Sequence, residues 1–212
     1  MTNIAFDEAT HSYWIDGKKA TSVTESLKLA GLIDGIQFAS EEALWRGKAV
    51  HAAIHFYHKG TLNWDSLDER LVPFVRGYLK FIEDTGFVPE EWEKRVSIPH
   101  LILCGTLDVI GVLPDGSRAL IDFKTGLQAN MGEWVGLQLA LYDMAMGLVT
   151  PARKRYGLKL MGENNYRLFP FTDPMDYTVA LSAVNIANWR IRRHGKDTGQ
   201  TSRNQDNQPL PH

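Results

Sequence analysis

Asp108, Asp122 and Lys124 have the residue types and spacing that metal-assisted cleavage of a phosphodiester requires. Gly105-Thr106-Leu107-Asp108 is followed by Ile121-Asp122-Phe123-Lys124-Thr125-Gly126, and each run reads as a strand. If the strands are neighbours, two carboxylates and a lysine meet at one point. A hard divalent cation takes oxygen ligands, and a phosphate in transfer needs its developing negative charge neutralised. One group of residues could supply both.

The strand phases support this convergence. Residues 101 to 113 are largely apolar on both alternations, as expected of an interior strand in which Asp108 is a costly polar intrusion that needs a partner. In the next run, Asp122 and Lys124 fall on one face and Ile121 and Phe123 on the other. The turn Pro114-Asp115-Gly116-Ser117 closes a hairpin that can bring Asp108 to the Asp122 and Lys124 pair. The alternative is a buried Asp–Lys salt bridge beside an ordinary edge aspartate. Such a bridge has no need of the second carboxylate.

A third candidate ligand lies on a helix expected from about residue 41 to 57. Val50, Ile54 and Tyr57 have inward spacing, while His51, His55 and His58 form an adjacent stripe. Zinc is one reading of such a stripe, but no compact acidic companion accompanies it. His51 is singled out because Gly47, one turn earlier, would allow a close backbone approach.

The rest of the chain has to position these groups. A chain of 212 residues can bury one substantial core. The periodicities predict a small hairpin over 11 to 20, a capped short helix opening at Ser22, a helix from about 66 to 83, and a strand over 92 to 98. Beyond the Asp108 hairpin they predict a helix from 133 to 146, strands at 156 to 160 and 165 to 170, and a helix from 174 to 193. The polar stretch 195 to 212 reads as a disordered tail. The expected architecture is α/β, a central mixed sheet flanked by helices, with residues 1 to 194 forming a single domain that includes an N-terminal helical region.

Composition excludes several classes. The single cysteine, Cys104, rules out an internal disulfide, a four-cysteine zinc site and an iron–sulphur cluster held within one chain. No serine or cysteine triad is evident. No secretory segment or membrane span is apparent, so a soluble intracellular protein is expected. A formal charge of −2 argues against general DNA coating but leaves room for a local basic groove. Arg153, Lys154, Arg155, Lys159 and Arg167 form one basic cluster, and Arg190, Arg192, Arg193 and Lys196 another; each reads as a phosphate surface or as a solvated face. Tyr13, Trp14 and Trp45 are candidates for base stacking or for the core.

The order Gly47-x-x-x-His51, Gly105-x-x-Asp108, Asp122-x-Lys124-Thr125-Gly126 and Gln138-x-x-x-Tyr142 resembles the RecB-like branch of the PD-(D/E)XK nuclease superfamily. His11-x-Tyr13 and Ser22-Val23-Thr24 resemble phage-encoded exonucleases of that group, and the resemblance spans roughly residues 11 to 190. The Pro-Asp spelling is absent, since Gly105-Thr106-Leu107 precedes Asp108. The resemblance implies a PD-(D/E)XK nuclease-like fold with one or two Mg2+ or Mn2+ ions held by His51, Asp108, Asp122 and the main-chain carbonyl of Phe123. It implies that Lys124 orients or activates the attacking water, and that Gln138 and Tyr142, which share a helix face, support the catalytic strands or touch the DNA backbone. Glu93 resembles a family acidic residue, although pairing with Arg95 is an equally simple reading.

The expected function is divalent-metal-dependent DNA exonuclease activity in phage recombination or end processing. The expected partners are single-stranded or free-ended DNA, a single-strand annealing protein and further copies of the chain, in the cytoplasm of a phage-infected or prophage-carrying bacterium. A structure-selective DNA endonuclease and a noncatalytic DNA-end-binding module are the alternatives.

Overall fold

Among the described residues, eight strands and five helices build a mixed α/β fold in which helices flank both faces of one sheet. The structure is a computed structural model, and it describes residues 3–8, 10–33, 40–126, 131–149 and 151–194. The tail expected at 195 to 212, and Lys196 with it, lies outside the described residues.

An N-terminal meander comes first: β1 (Ile4–Asp7), β2 (Ser12–Ile15) and β3 (Lys18–Ser22) pair antiparallel in turn. The hairpin turn between β2 and β3 places Asp16 and Gly17 at positive φ, the tight-turn conformation that an Asp-Gly pair favours. Helix α1 (Val23–Ala30) opens with the expected capping box, Ser22 and Glu25 each satisfying the other's backbone N–H. Helix α2 (Glu41–His58) follows, capped by Ser40. The next helix, α3 (Val72–Thr85), starts later than its apolar spacing suggests: Pro73 is tolerated in the first turn and not in a helix interior, so only a short 3-10 turn at Trp64–Ser66 precedes it.

The central strands are β4 (Val88–Ile98), β5 (Leu103–Val112) and β6 (Arg118–Lys124), running antiparallel, with a 3-10 turn at Pro99–Leu101 between the first two. Helix α4 (Trp134–Ala145), strands β7 (Lys154–Met161) and β8 (Asn165–Pro170), and helix α5 (Met175–His194) complete the chain. The sheet runs β1-β2-β3-β5-β6-β7-β8, with β4 also on β5. Two contacts are parallel, β3 on β5 and β6 on β7.

Two cores sandwich the sheet. Helices α1, α4 and α5 bury Leu27, Leu139, Leu141 and Val184 against Leu103, Leu107, Ile110 and Leu120. On the opposite face α2 and α3 bury Val50, Ile54, Tyr78 and Phe81 against Val109, Ile121 and Phe123. Helix α4 is buried on almost every side from Val135 to Asp143, the signature of a central helix, while Leu148 is exposed beyond its end. Tyr57, expected to point inward from α2, is also exposed.

Candidate active site

Where the two cores meet, a cavity of about 560 Å3 brings together His51 of α2, Asp108 of β5, Asp122 and Lys124 of β6, and Gln138 and Tyr142 of α4. Register explains the meeting of the strands. Val109 pairs with Ile121 and Ile110 with Leu120, which sets Asp108 across from Asp122 one step further on. The alternation slips at this point, since Leu107 and Val109 pack into opposite cores. Across on β4, Trp92 belongs to the α2 side and Val96 and Ile98 to the α4 side, with Glu93 between them at a φ of 43°. Such left-handed geometry is strained for a glutamate, and strained backbone concentrates at sites with a task.

The contacts are specific. The N–H of Phe123 donates to Asp108 Oδ2 at 2.6 Å, while His51 Nδ1 lies 3.3 Å from Asp108 Oδ1. The Lys124 ammonium pairs with Asp122 Oδ2 and sits 5.1 Å from the centre of the Trp134 ring. Phe123 turns its ring into the α2 and α3 core, as the alternation requires. Gln138 Nε2 donates to the Tyr142 hydroxyl at 2.8 Å, and Gln138 Oε1 is buried with no partner among the described residues.

The electrostatics push the two carboxyls apart. Burial raises Asp122, Lys124 pulls it back and the neighbouring Asp108 raises it again, leaving it at about 6. Burial would also raise Asp108, but the His51 ring, Lys124 and the Phe123 N–H hold it below the ordinary carboxylate range. His51 is raised because Asp108 outweighs the effect of burial. Burial, and then the two nearby carboxylates, lift the Tyr142 phenol well above its usual value. Two carboxyls of different proton affinity beside a lysine mark the cleft as a candidate site.

The glycines of the expected motifs differ in purpose. A Cβ at Gly105 would stand 2.5 Å from the Tyr142 ring, so this glycine is what lets α4 lie close over β5. At Gly47 the nearest atom would be Thr125 Oγ1 at 3.6 Å, an ordinary contact, and the close approach expected there is absent. Arg46, which the sequence did not mark, links α2 to the end of β6 by donating to the Thr125 carbonyl at 3.3 Å.

Other expected groupings come apart. The histidine stripe does not converge: His58 bonds the Tyr78 hydroxyl at 2.8 Å and stacks on Trp92, away from Asp108. Among the described residues no three His, Cys, Asp or Glu side chains form a ready metal cage. Glu93 lines the cleft but is exposed and makes no ion pair with Arg95.

The basic cluster at 153 to 155 is mostly structural. Arg153 pairs with buried Asp143, Lys154 with Asp115, and Arg155 with Asp176 at 3.0 Å. Each of these three cations therefore has a carboxylate partner within the fold. Lys159 is buried beside Arg167, and burial lowers its pKa. Arg190 reaches the Leu29 carbonyl, tying α5 to α1. Of the aromatic candidates, Tyr13 is buried with its hydroxyl 2.9 Å from Thr106 Oγ1, whereas Trp45 is exposed, with the Arg70 guanidinium 4.5 Å from its ring centre.

No family model matches the chain, and no curated protein matches it. Among solved structures it is similar to an alkaline exonuclease from Laribacter hongkongensis, with 12% identity, a TM-score of 0.44, and coverage of 82% of this chain and 88% of that one. The same exonuclease in complex with dAMP gives 12% identity and a TM-score of 0.43, again over 82% and 88% of the two chains. Among the described residues no helix is long and apolar enough to cross a membrane.

Proposed function

We propose that this chain is a divalent-metal-dependent DNA nuclease that acts on ends. The observation that supports it is the shared cleft in which Asp108, Asp122, Lys124, His51, Gln138 and Tyr142 come together from four separate elements. A structural salt bridge between Lys124 and Asp122 would need neither the opposed Asp108 nor the imidazole beside it.

The donor types suit a hard cation, although no three of these side chains stand as a closed cage. Two carboxylates and an imidazole offer the charge and donor types, and a Mg2+ ion that keeps most of its waters needs only one or two protein carboxylates. The orphaned Gln138 Oε1 is the kind of acceptor that an ordered water satisfies. Asp108, Asp122, His51 and the Phe123 carbonyl would hold one or two Mg2+ or Mn2+ ions, with Glu93 at the rim as a further oxygen donor. When bound, such an ion supplies a water of lowered pKa and charge stabilisation at the phosphate and leaving oxygens.

The chain's own groups do the positioning. Lys124, held on Asp122 and Trp134, directs its ammonium at nonbridging phosphate oxygens and the attacking water. Asp108, kept ionised by its neighbours, orients His51 and stays ready as an anionic ligand. Gln138 and Tyr142 form a polar wall that fixes waters in the cleft. The setting to which the sequence resemblance points is phage end processing beside a single-strand annealing protein.

Incubating circular and end-labelled linear DNA with Mg2+, Mn2+ or chelator tests the reading. Metal-dependent release of nucleotides from linear DNA alone is the expected result. Nicking of circles would favour the endonuclease alternative, and binding without cleavage in any metal would leave a DNA-end-binding module. In folded protein, Asp108→Asn and Asp122→Asn should each nearly abolish cleavage, because an amide keeps the size and loses the anionic ligand.

A further inference from the structure

The cleft extends past the carboxylates to a second wall formed by Phe6, His11 and Arg95. Arg95 stands on β4 opposite Thr106, two residues before Asp108 on β5. Its guanidinium lies 5.0 Å from the centre of the Phe6 ring. That ring is itself fixed, 4.6 Å from Tyr13 and edge-on to His11 at 5.2 Å. The sequence alternation pairs Arg95 with Glu93, but the positive φ at Glu93 breaks the phase. Among the described residues no carboxylate lies within ion-pair distance of Arg95, although its side chain is exposed in a cleft lined by Glu8, Glu93, Asp108 and Asp122.

A cation held over an aromatic face and left without a carboxylate is organised for an anion that arrives from outside. Two residues along a β-strand span about 6.8 Å, the scale of one phosphate-to-phosphate step along a nucleic-acid backbone. We propose that Arg95, seated on Phe6, contacts a backbone phosphate one or two nucleotides away from the one cleaved. Phe6 is a positioning residue here, since it acts through the guanidinium. The consequence is a cleft that grips substrate at two points, Lys124 at the scissile phosphate and Arg95 beside it, and so sets how far a strand enters. This inference rests on the nuclease reading.

The test uses a dye-labelled single-stranded oligonucleotide and the full chain. Binding is titrated across salt concentrations in a Lys124→Ala background, alone and with Arg95→Gln, Arg95→Lys, Phe6→Leu or Phe6→Tyr; steady-state cleavage is measured for the same changes with Lys124 intact. Arg95→Gln should weaken binding roughly tenfold and reduce the slope of log K against log salt by about 0.7, the amount for one phosphate contact on a single strand. In the active protein it should raise KM while largely preserving kcat. Phe6→Leu should reproduce part of the loss and Phe6→Tyr should restore it, whereas Arg95→Lys should keep the salt slope. An unchanged slope and KM in folded Arg95→Gln, with wild-type protein cleaving normally, would overturn this inference alone. Wild-type protein that neither binds nor cleaves the oligonucleotide would overturn the nuclease reading and this inference with it.

Discussion

Lys124 makes two contacts that leave its role open to a direct test: an ion pair with Asp122 and a cation–π approach to Trp134. Removing the partner of a buried ionised carboxylate is ordinarily expensive. Asp122, however, is already raised to about 6 and can take up a proton, so Lys124→Ala should fold. It should retain Mn2+ and DNA binding while single-turnover cleavage under saturating DNA and metal falls on the order of 100-fold. A normal rate would remove Lys124 from the chemistry, and collapse of the fold would return the pair to a purely structural role. At this scale much of the arrangement was readable, because strand alternation fixes which side chains share a face and Asp122 and Lys124 lie on an unbroken run. Of the two readings of Glu93, the pairing with Arg95 fails for the complementary reason. A single residue at positive φ shifts the phase, and nothing in the local sequence announced it.

Elements position the site through close approaches that a sequence shows only as isolated glycines or charges. Gly105 precedes Asp108 by three residues and looked like part of a motif; its physical task is to admit the Tyr142 ring of α4. Gly105→Ala should therefore destabilise the protein by about 1–3 kcal/mol, the usual cost of overpacking, and misplace Tyr142. A wild-type urea midpoint would contradict this. The run Arg153-Lys154-Arg155 misled in the other direction, since long-range partners decide what a charge does. Arg153 and Asp143 are 8% and 2% exposed, and Tyr177 donates to the same carboxylate at 2.7 Å. Arg153→Ala should cost about 3–5 kcal/mol because it strands a buried carboxylate. Lys154→Ala, at an exposed pair with Asp115, should leave stability almost unchanged. Chemical denaturation of the two variants separates these cases. Equal and small losses would restore the reading of this run as a surface patch.

Over the whole molecule, the alternation of strands and helices made an α/β sheet with helices on both faces legible, whereas the order of its strands was not. The N-terminal meander joins the sheet through a parallel contact of two residue pairs between β3 and β5, which leaves no local pattern to read. Docking of the α2 and α3 layer onto the sheet converges on another group that the sequence put in the wrong company. His58 bonds Tyr78 of α3 and stacks at 3.8 Å on Trp92 of β4, so one imidazole joins three elements. Burial, then the neighbouring His55, lowers its pKa to about 4. Its folded-state value is thus below its unfolded value of 6.5, and the unfolded chain binds the proton more readily. The stability that neutral His58 contributes is present above pH 6.5 and is lost as pH falls toward 4. Below that the dependence due to this group levels off. His58→Phe, which keeps an aromatic ring against Trp92 and cannot titrate, should flatten the decline in urea midpoint between pH 6.5 and 4 relative to wild type. The same substitution should lower stability near pH 7 by about 1 kcal/mol through the lost Tyr78 hydrogen bond. An identical pH profile in the variant would mean that acid sensitivity in this window arises elsewhere, and that α2 and α3 dock without regard to the charge on His58.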